Sequence, residues 1–524
     1  MHANPILWAD YPDLDVIRIE DTWYMVSTTM HMMPGCVILR SYDLMHWETL
    51  THVYDTLDGT PAQRLDGLSH IYGQGMWAAT LRHHNNKCYL VFVANDTHKT
   101  YLFTADEMAG PWEKREIEGF YHDCSLLFEE DRPFLAYGNT DIRLVELKPD
   151  LSGPLPGGVD RVIVTETEPF HLGYEGAHFY KINGRYHLFL IHISQSGHQR
   201  RTQAWFSSDS LEGPYTGGDI LDDDMGYFNA GVAQGGIVDT PDGEWFSILF
   251  QDHGAVGRIP VLVPMVWRDG KPVLGDNGRV PRFVSALSTR PEHPYKPLVD
   301  SDGFMYAPDA DGTVRLKDVW QWNHQPDPAL WSVTDPPGFL RIRTDKRSPN
   351  VHHAANTLTQ RTFGPQSGAV VTVDGSRLNP GDQAGLCLLI GTYGLIALRK
   401  EPEGHVLVME AKASREDSIF ENLTDGVPGE VLARIPTASA TVTLRAQCDF
   451  RDNRDEVRFS WLRGAEWVPL GPAHRMHYKL DQFMGARFGL FVQSTETVGG
   501  EARFSRFIYE GPEAFECACS QAIG

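Results

Sequence analysis

The sequence predicts an all-β protein, a five-bladed β-propeller followed by a β-sandwich. Two repeats and one absence carry that reading. Five aromatic cores, Thr22-Trp23-Tyr24-Met25-Val26, Lys87-Cys88-Tyr89-Leu90-Val91, Arg132-Pro133-Phe134-Leu135-Ala136, Gly184-Arg185-Tyr186-His187-Leu188 and Gly243-Glu244-Trp245-Phe246-Ser247, follow one another several tens of residues apart. That is the spacing of propeller units, whose innermost strands converge on one axis. A second repeat sets a turn-forming Asp ahead of a closing aromatic, in Ser41-Tyr42-Asp43-Leu44-Met45-His46-Trp47, Thr104 to Trp112 and Ser207 to Tyr215, as outer hairpins of blades require. Convincing long helical periodicity is absent.

In chain order, each blade core follows a marked residue. Counting back 11 positions from Tyr24, Phe134, Tyr186 and Trp245 reaches Asp13, Asp123, Glu175 and Gln234, and counting back 12 from Tyr89 reaches Trp77. If these residues sit on the innermost strands, they face one pocket. From roughly residue 275 to 318 the text turns rich in Pro, Gly and Asp, as in Glu292-His293-Pro294-Tyr295-Lys296-Pro297, and reads as a crossing between domains. Beyond it, short strands such as Gly368-Ala369-Val370-Val371-Thr372-Val373 and Ala440-Thr441-Val442-Thr443-Leu444-Arg445 fit a two-sheet sandwich. The expected division is a propeller over 1–300, a linker over 301–319 and a sandwich over 320–524.

A chain of 524 residues exceeds one ordinary hydrophobic core, so two domains are expected. With 46 basic and 69 acidic residues the formal charge is −23, which repels phosphate backbones and anionic membranes. Nucleic acid and membrane surfaces are therefore excluded as partners, and a small neutral oligosaccharide suits the balance; self-association is left open. The cysteines Cys36, Cys88, Cys124, Cys387, Cys448, Cys517 and Cys519 are scattered and odd in number, as expected of reduced thiols. The start, Met1-His2-Ala3-Asn4-Pro5, lacks a basic and apolar leader pattern, and no apolar run approaches the ~20 residues of a membrane span. A cytoplasmic protein is expected.

The three acids stand in Tyr11-Pro12-Asp13-Leu14, Tyr121-His122-Asp123-Cys124 and Gly173-Tyr174-Glu175-Gly176. Acids in apolar or aromatic settings are paired, hydrogen-bonded or functional. One such Asp alone is most often a turn former; a shared register in neighbouring blades is not explained that way. Glycosidic cleavage needs a protonated carboxyl at the leaving oxygen and a second carboxylate across the sugar, and Trp77 supplies an apolar wall for a ring.

At these residues the chain resembles glycoside hydrolase family 43, five-bladed β-xylosidases and α-L-arabinofuranosidases. Asn4-Pro5-Ile6-Leu7 with Tyr11-Pro12-Asp13 is similar to the family's opening and Gly75-Met76-Trp77-Ala78 to its tryptophan motif. Trp320-Gln321-Trp322-Asn323-His324 with Asn356 to Arg361 is similar to the concanavalin A-like sandwich appended in its β-xylosidase branch. The resemblance implies Asp13 as general base, Glu175 as general acid and Asp123 as the residue that orients the acid and raises its pKa. It implies inversion of the anomeric centre, and exo release of terminal β-D-xylose, or of α-L-arabinofuranose, from short xylan-derived chains. One sandwich loop would close the pocket mouth. It further points to Arg258, His31 and Gln234 as substrate-binding residues, with the methionines of Ser27 to Gly35 standing where other branches carry a Phe-rich subsite wall and offering the sugar an adaptable surface. Gln234 stands where many relatives carry a histidine near a bound ion or water; glutamine is a poor transition-metal ligand, so no metal or cofactor is expected to be required, with a calcium held by waters or oxygens left open. His83, His84, His192 and His198 have no metal spacing. Arabinofuranosidase as main activity and a non-catalytic carbohydrate-binding propeller are the alternatives; retention of all three acids argues against the second.

Overall fold

The computed structural model describes residues 2–310, 312–415 and 417–515. Five four-stranded antiparallel sheets succeed one another along the first part of the chain. Their innermost strands are Asp15–Ile19, Met76–His84, Ser125–Glu129, Phe170–Ile182 and Ile237–Asp239. Each predicted aromatic core opens the second strand of its blade: Thr22–Ser27, Lys87–Ala94, Arg132–Tyr137, Arg185–Ser194 and Trp245–Asp252. The Asp-aromatic repeats join third to fourth strands in blades 1, 2 and 4. In the first of these turns Asp43 Oδ1 accepts the backbone N–H groups of Met45 and His46 at 2.9 and 2.7 Å. This local bond is what favours Asp there.

Closure uses the chain's beginning. His2–Ala3 pairs with Phe283–Val284, and Asn4 donates to the carbonyls of Leu262 and Pro281 at 2.8 and 2.9 Å while accepting from Leu262 N–H at 3.0 Å. The residue that opens the sequence motif is thus a clasp on blade 5.

The five inner strands meet at the guanidinium of Arg82, whose side chain is 12% exposed. Arg82 donates to Asp15 Oδ2 at 2.6 Å, to Ser125 Oγ at 2.7 Å and to the Leu126 carbonyl at 2.7 Å. Its guanidinium lies 5.2 Å from the ring centre of Tyr180, whose hydroxyl accepts from Ile237 N–H at 3.1 Å. His178 Nδ1 is 3.2 Å from Asp15 Oδ1. Burial works against the Asp15 carboxylate, yet Arg82 and His178 outweigh it and hold its pKa well below the usual range. Breaking such a buried pair from one side costs about 3–5 kcal/mol.

The rest of the chain builds two larger sheets. In Thr441–Asp449, Val442, Leu444, Ala446 and Cys448 are buried in alternation with partly exposed neighbours, the period of a strand with one face on the core. These side chains join Val371, Val373 and Phe504 against Leu386, Leu388, Ile396 and Leu407 of the facing sheet. Cys36, Cys88, Cys124, Cys387 and Cys448 are buried unpaired thiols; Cys517 and Cys519 lie outside the described residues. Among the described residues no helix is long and apolar enough to cross a membrane.

The two domains are stitched, not tethered. Met32–Met33, from a propeller loop, pairs with Trp322 and Asn323 as the edge of a sandwich sheet. Met30, Met32 and Met33 are buried, so this methionine segment seals the domain interface and offers no adaptable wall to a sugar. Beside it His31 packs edge-on against Tyr72 at 4.6 Å and lies 4.9 Å from His324, and Tyr72 is 5.3 Å from His352. Burial lowers the pKa of His31 and His324 far below the ordinary value and that of His352 to about 3.

These histidines protonate in the unfolded chain near pH 6.5 but not in the folded one. Below that pH the unfolded state binds more protons, so stability is full above about pH 7 and falls as pH drops, by up to ~1.4 kcal/mol per pH unit for each ring. Thermal unfolding followed from pH 7.5 to 5 is expected to show this. His31→Phe should flatten the slope by about one proton, because among the described residues neither His31 ring nitrogen has a hydrogen-bond partner to lose. An unchanged slope would mean that His31 is protonated within the fold.

Candidate active site

The marked register lies where blade pairing is irregular. Asp13, Asp123 and Gln234 stand just ahead of their inner strands with φ of 53°, 48° and 56°. Trp77 and Glu175 stand within theirs at register shifts, between Met76 and Ala79 and on both sides of Glu175. A left-handed non-glycine residue costs about 1–3 kcal/mol and persists where its surroundings over-determine it. Bulged strands likewise re-aim a side chain out of the regular alternation. Gly176, at φ +63°, completes the pattern: a Cβ there would come within 2.8 Å of the Gln234 side chain, while its N–H donates to Asp123 Oδ2 at 3.2 Å.

Three acids consequently face one volume. His122 Nε2 lies 3.4 Å from Glu175 Oε2 and 3.8 Å from Asp123 Oδ2. Asn139 Nδ2 donates to the same Glu175 oxygen at 2.5 Å. Asp13 Oδ1 accepts from Arg258 Nη1 at 2.7 Å in a buried pair. Burial pushes the Asp123 carboxyl up to about 7, with the charges of Glu175 and Asp13 adding to the shift against the opposing His122. The negative charge of Asp123, then those of Glu175 and Asp13, raise His122 to about 9. The set therefore holds an extra proton near neutrality, as a site that must both give and take protons requires.

Aromatic walls close the volume. Trp77 is half-buried, 5.8 Å from His122 and 5.7 Å from Phe483. Phe483 belongs to the sandwich, and the Arg258 guanidinium stacks 4.4 Å over its ring. Asp10 anchors this loop by accepting from Gly485 N–H at 2.9 Å and from Arg258 N–H at 2.8 Å. Arg258 and Arg201 each lie 5.3 Å from the ring centre of Phe250. Among the described residues Arg258 Nε and Nη2 have no partner, so two donors remain beside Asp13.

Of the residues marked in the sequence, Asp13, Asp123, Glu175, Trp77 and Arg258 meet here. Gln234 packs beneath Gly176 and is held through its backbone by Gln203 Oε1 at 2.7 Å. His31 is not at the surface of this volume; it is fully buried at the domain interface, because its loop is consumed in pairing with the sandwich, and it is too enclosed to meet a sugar hydroxyl. His122, Asn139, Arg201 and Phe483 complete the site without having been singled out. Adjacency to Asp123 was the one available signal for His122.

His122, Asp123 and Glu175 bring three ligand-type atoms within 4.8 Å of one another. Calcium takes six to eight oxygens, some of them from water, and the two carboxyls supply only part of that number, so these side chains do not complete a calcium site by themselves.

Two family models match the chain: glycosyl hydrolases family 43 over residues 2–272 and a beta xylosidase C-terminal concanavalin A-like domain over 312–510. A beta-xylosidase of Formosa agariphila is 26% identical across 98% of this chain and 91% of its own. A non-reducing end alpha-L-arabinofuranosidase of Bacteroides ovatus is 24% identical across 84% of this chain and 82% of its own. Among solved structures, a bifunctional GH43-CE protein of Bacteroides eggerthii is 40% identical with a TM-score of 0.88, covering 97% of this chain and 63% of that one. The chain thus spans just under two thirds of that protein. An active-site-engineered family 43 hydrolase displaying endo-xylanase and exo-arabinofuranosidase activity is 28% identical with a TM-score of 0.84, covering 97% and 99%.

Proposed function

The chain belongs to family 43 of the glycosyl hydrolases, and we propose that it removes single terminal pentoses, β-D-xylose ahead of α-L-arabinofuranose, from short xylan-derived oligosaccharides with inversion. The observation that carries this is the grouping of Asp13, Asp123 and Glu175 under Trp77 and Phe483. In this reading Glu175 protonates the glycosidic oxygen as the bond to the anomeric carbon breaks, and Asp13 takes a proton from the water that attacks the opposite face. Arg258, bonded to Asp13, keeps that carboxylate oriented while its remaining donors meet sugar hydroxyls. Asp123, whose Oδ2 accepts from the N–H of Gly176 next to the acid, helps to orient it.

Phe483 supports the exo preference. An aromatic from the second domain, stacked on Arg258 and near Trp77, narrows the space beside the acids to a size suited to one terminal sugar. The purified protein is expected to hydrolyse 4-nitrophenyl β-D-xylopyranoside and xylobiose faster than 4-nitrophenyl α-L-arabinofuranoside, and to release free pentose from oligosaccharides. Longer fragments as the main product from xylan would overturn the exo reading; arabinofuranoside as the better substrate would reverse the order of sugars.

A further inference from the structure

His122 and Asn139 reach the same oxygen of Glu175. Both come from blade 3, His122 ahead of its first strand and Asn139 after its second, and Gly138 N–H donates to the His122 carbonyl at 2.9 Å, tying the two loops together. Thr140 Oγ1 donates to Asn139 Oδ1 at 3.0 Å, which fixes the amide with its NH₂ toward Glu175. The Asn139 amide sits 2.5 Å and the His122 imidazole 3.4 Å from Oε2. Of the two side chains, His122 is 23% exposed and Glu175 17%, so both border the open volume.

A carboxyl oxygen that already accepts from two N–H groups is a poor place for a proton, because its lone pairs are engaged. The proton of a neutral Glu175 then belongs on Oε1. Resting on the reading of Glu175 as the acid, we propose that His122 is a positioning residue: with Asn139 it clamps Oε2, so that Oε1 carries the proton to the glycosidic oxygen. The imidazolium then stabilises the carboxylate left behind.

The balance of the step is complete without further reactants. The Oε1 proton passes to the glycosidic oxygen, which leaves with the electron pair of the bond to the anomeric carbon. Water forms the new bond to that carbon and loses its proton to Asp13. Glu175 ends as a carboxylate, and His122 keeps its proton throughout. The groups facing His122 are Asp123, Glu175 and Asp13, all acidic, with Trp77 on its flank; this surrounding keeps the ring cationic over the working range. Negative charge develops on Glu175 in the transition state, so a fixed cation beside Oε2 acts where charge appears.

The test compares wild type, His122→Gln, which keeps an N–H donor without charge, and His122→Phe, which keeps neither. The pH dependence of kcat/KM is measured on xylobiose and on 4-nitrophenyl β-D-xylopyranoside, with unfolding temperature as a check on folding. Removing a charge at this distance is expected to move the basic limb up by about one pH unit in both variants. His122→Phe should lose roughly 10–100-fold in kcat on xylobiose and at most a few fold on the nitrophenyl substrate, whose leaving group needs little protonation. His122→Gln should recover part of the xylobiose rate. An unmoved basic limb in the folded variants, or equal losses on both substrates, would refute the clamp. A wild type inactive on every pentoside would refute the proposed function; the clamp is then judged by NMR, where Glu175→Gln must lower the titration midpoint of His122, and an unchanged midpoint refutes it.

Discussion

Asp13→Asn is expected to lower kcat on xylobiose by about 10³-fold, within the range a positioned general base contributes. The asparagine retains the size of the side chain and one acceptor for the Arg258 Nη1 that now lies 2.7 Å away, but it cannot take a proton from water. Since Arg258 would stay buried without its counter-charge, part of the effect is structural. Two readouts separate the parts. Loss of the base should leave pentose binding within a few fold, measured by calorimetry, because Trp77, Phe483 and the remaining Arg258 donors are untouched. Azide, a nucleophile that needs no deprotonation, should restore turnover on the nitrophenyl substrate and give a glycosyl azide of inverted configuration. A variant retaining a tenth or more of the wild-type rate, or an azide product of retained configuration, would remove Asp13 from the role of base.

The register that exposes Asp13 also marks what a sequence can and cannot disclose. Five aromatic cores repeat because each must fill the same space between blades, so residues a fixed distance ahead of them occupy equivalent places. That logic reached Asp13, Trp77, Asp123, Glu175 and Gln234 together. It did not reach the local backbone: φ is positive at Asp13, Asp123 and Gln234, and this turn away from strand geometry decides which neighbours each side chain meets. Asn139 touches Glu175 across blades, a contact with no signature in spacing. Phe483 arrives from the other domain, and nothing in Gln482-Phe483-Met484 distinguishes it from core packing. His31 shows the reverse error. Its neighbourhood of methionines suggested a sugar-facing wall, but two of them pair with the sandwich and carry the histidine into the interface. Asn4, read only as part of a motif, turns out to hold blade 5 to the chain's start.

Glu175→Ala is expected to separate xylobiose from 4-nitrophenyl β-D-xylopyranoside. On xylobiose the leaving group is a sugar hydroxyl, whose departure as an alkoxide is prohibitive, so loss of the acid should cost about 10³-fold in kcat. Nitrophenolate leaves unaided, and the same variant should lose no more than about tenfold on the nitrophenyl xyloside, since attack by water on the opposite face still has Asp13. The pH profile gives an independent sign. On the proposed roles, the basic limb of kcat/KM in the wild type is expected to follow loss of the acid's proton and the acidic limb protonation of the base. With Glu175 gone the basic limb should vanish on the nitrophenyl substrate while the acidic limb stays. The neighbours sharpen this outcome: Asn139 and His122 lose their common acceptor, and Asp123, relieved of one negative neighbour that now helps raise it, should ionise at lower pH and cannot replace the acid. Equal losses on both substrates, or a bell-shaped profile that survives the substitution, would show that the proton comes from another residue.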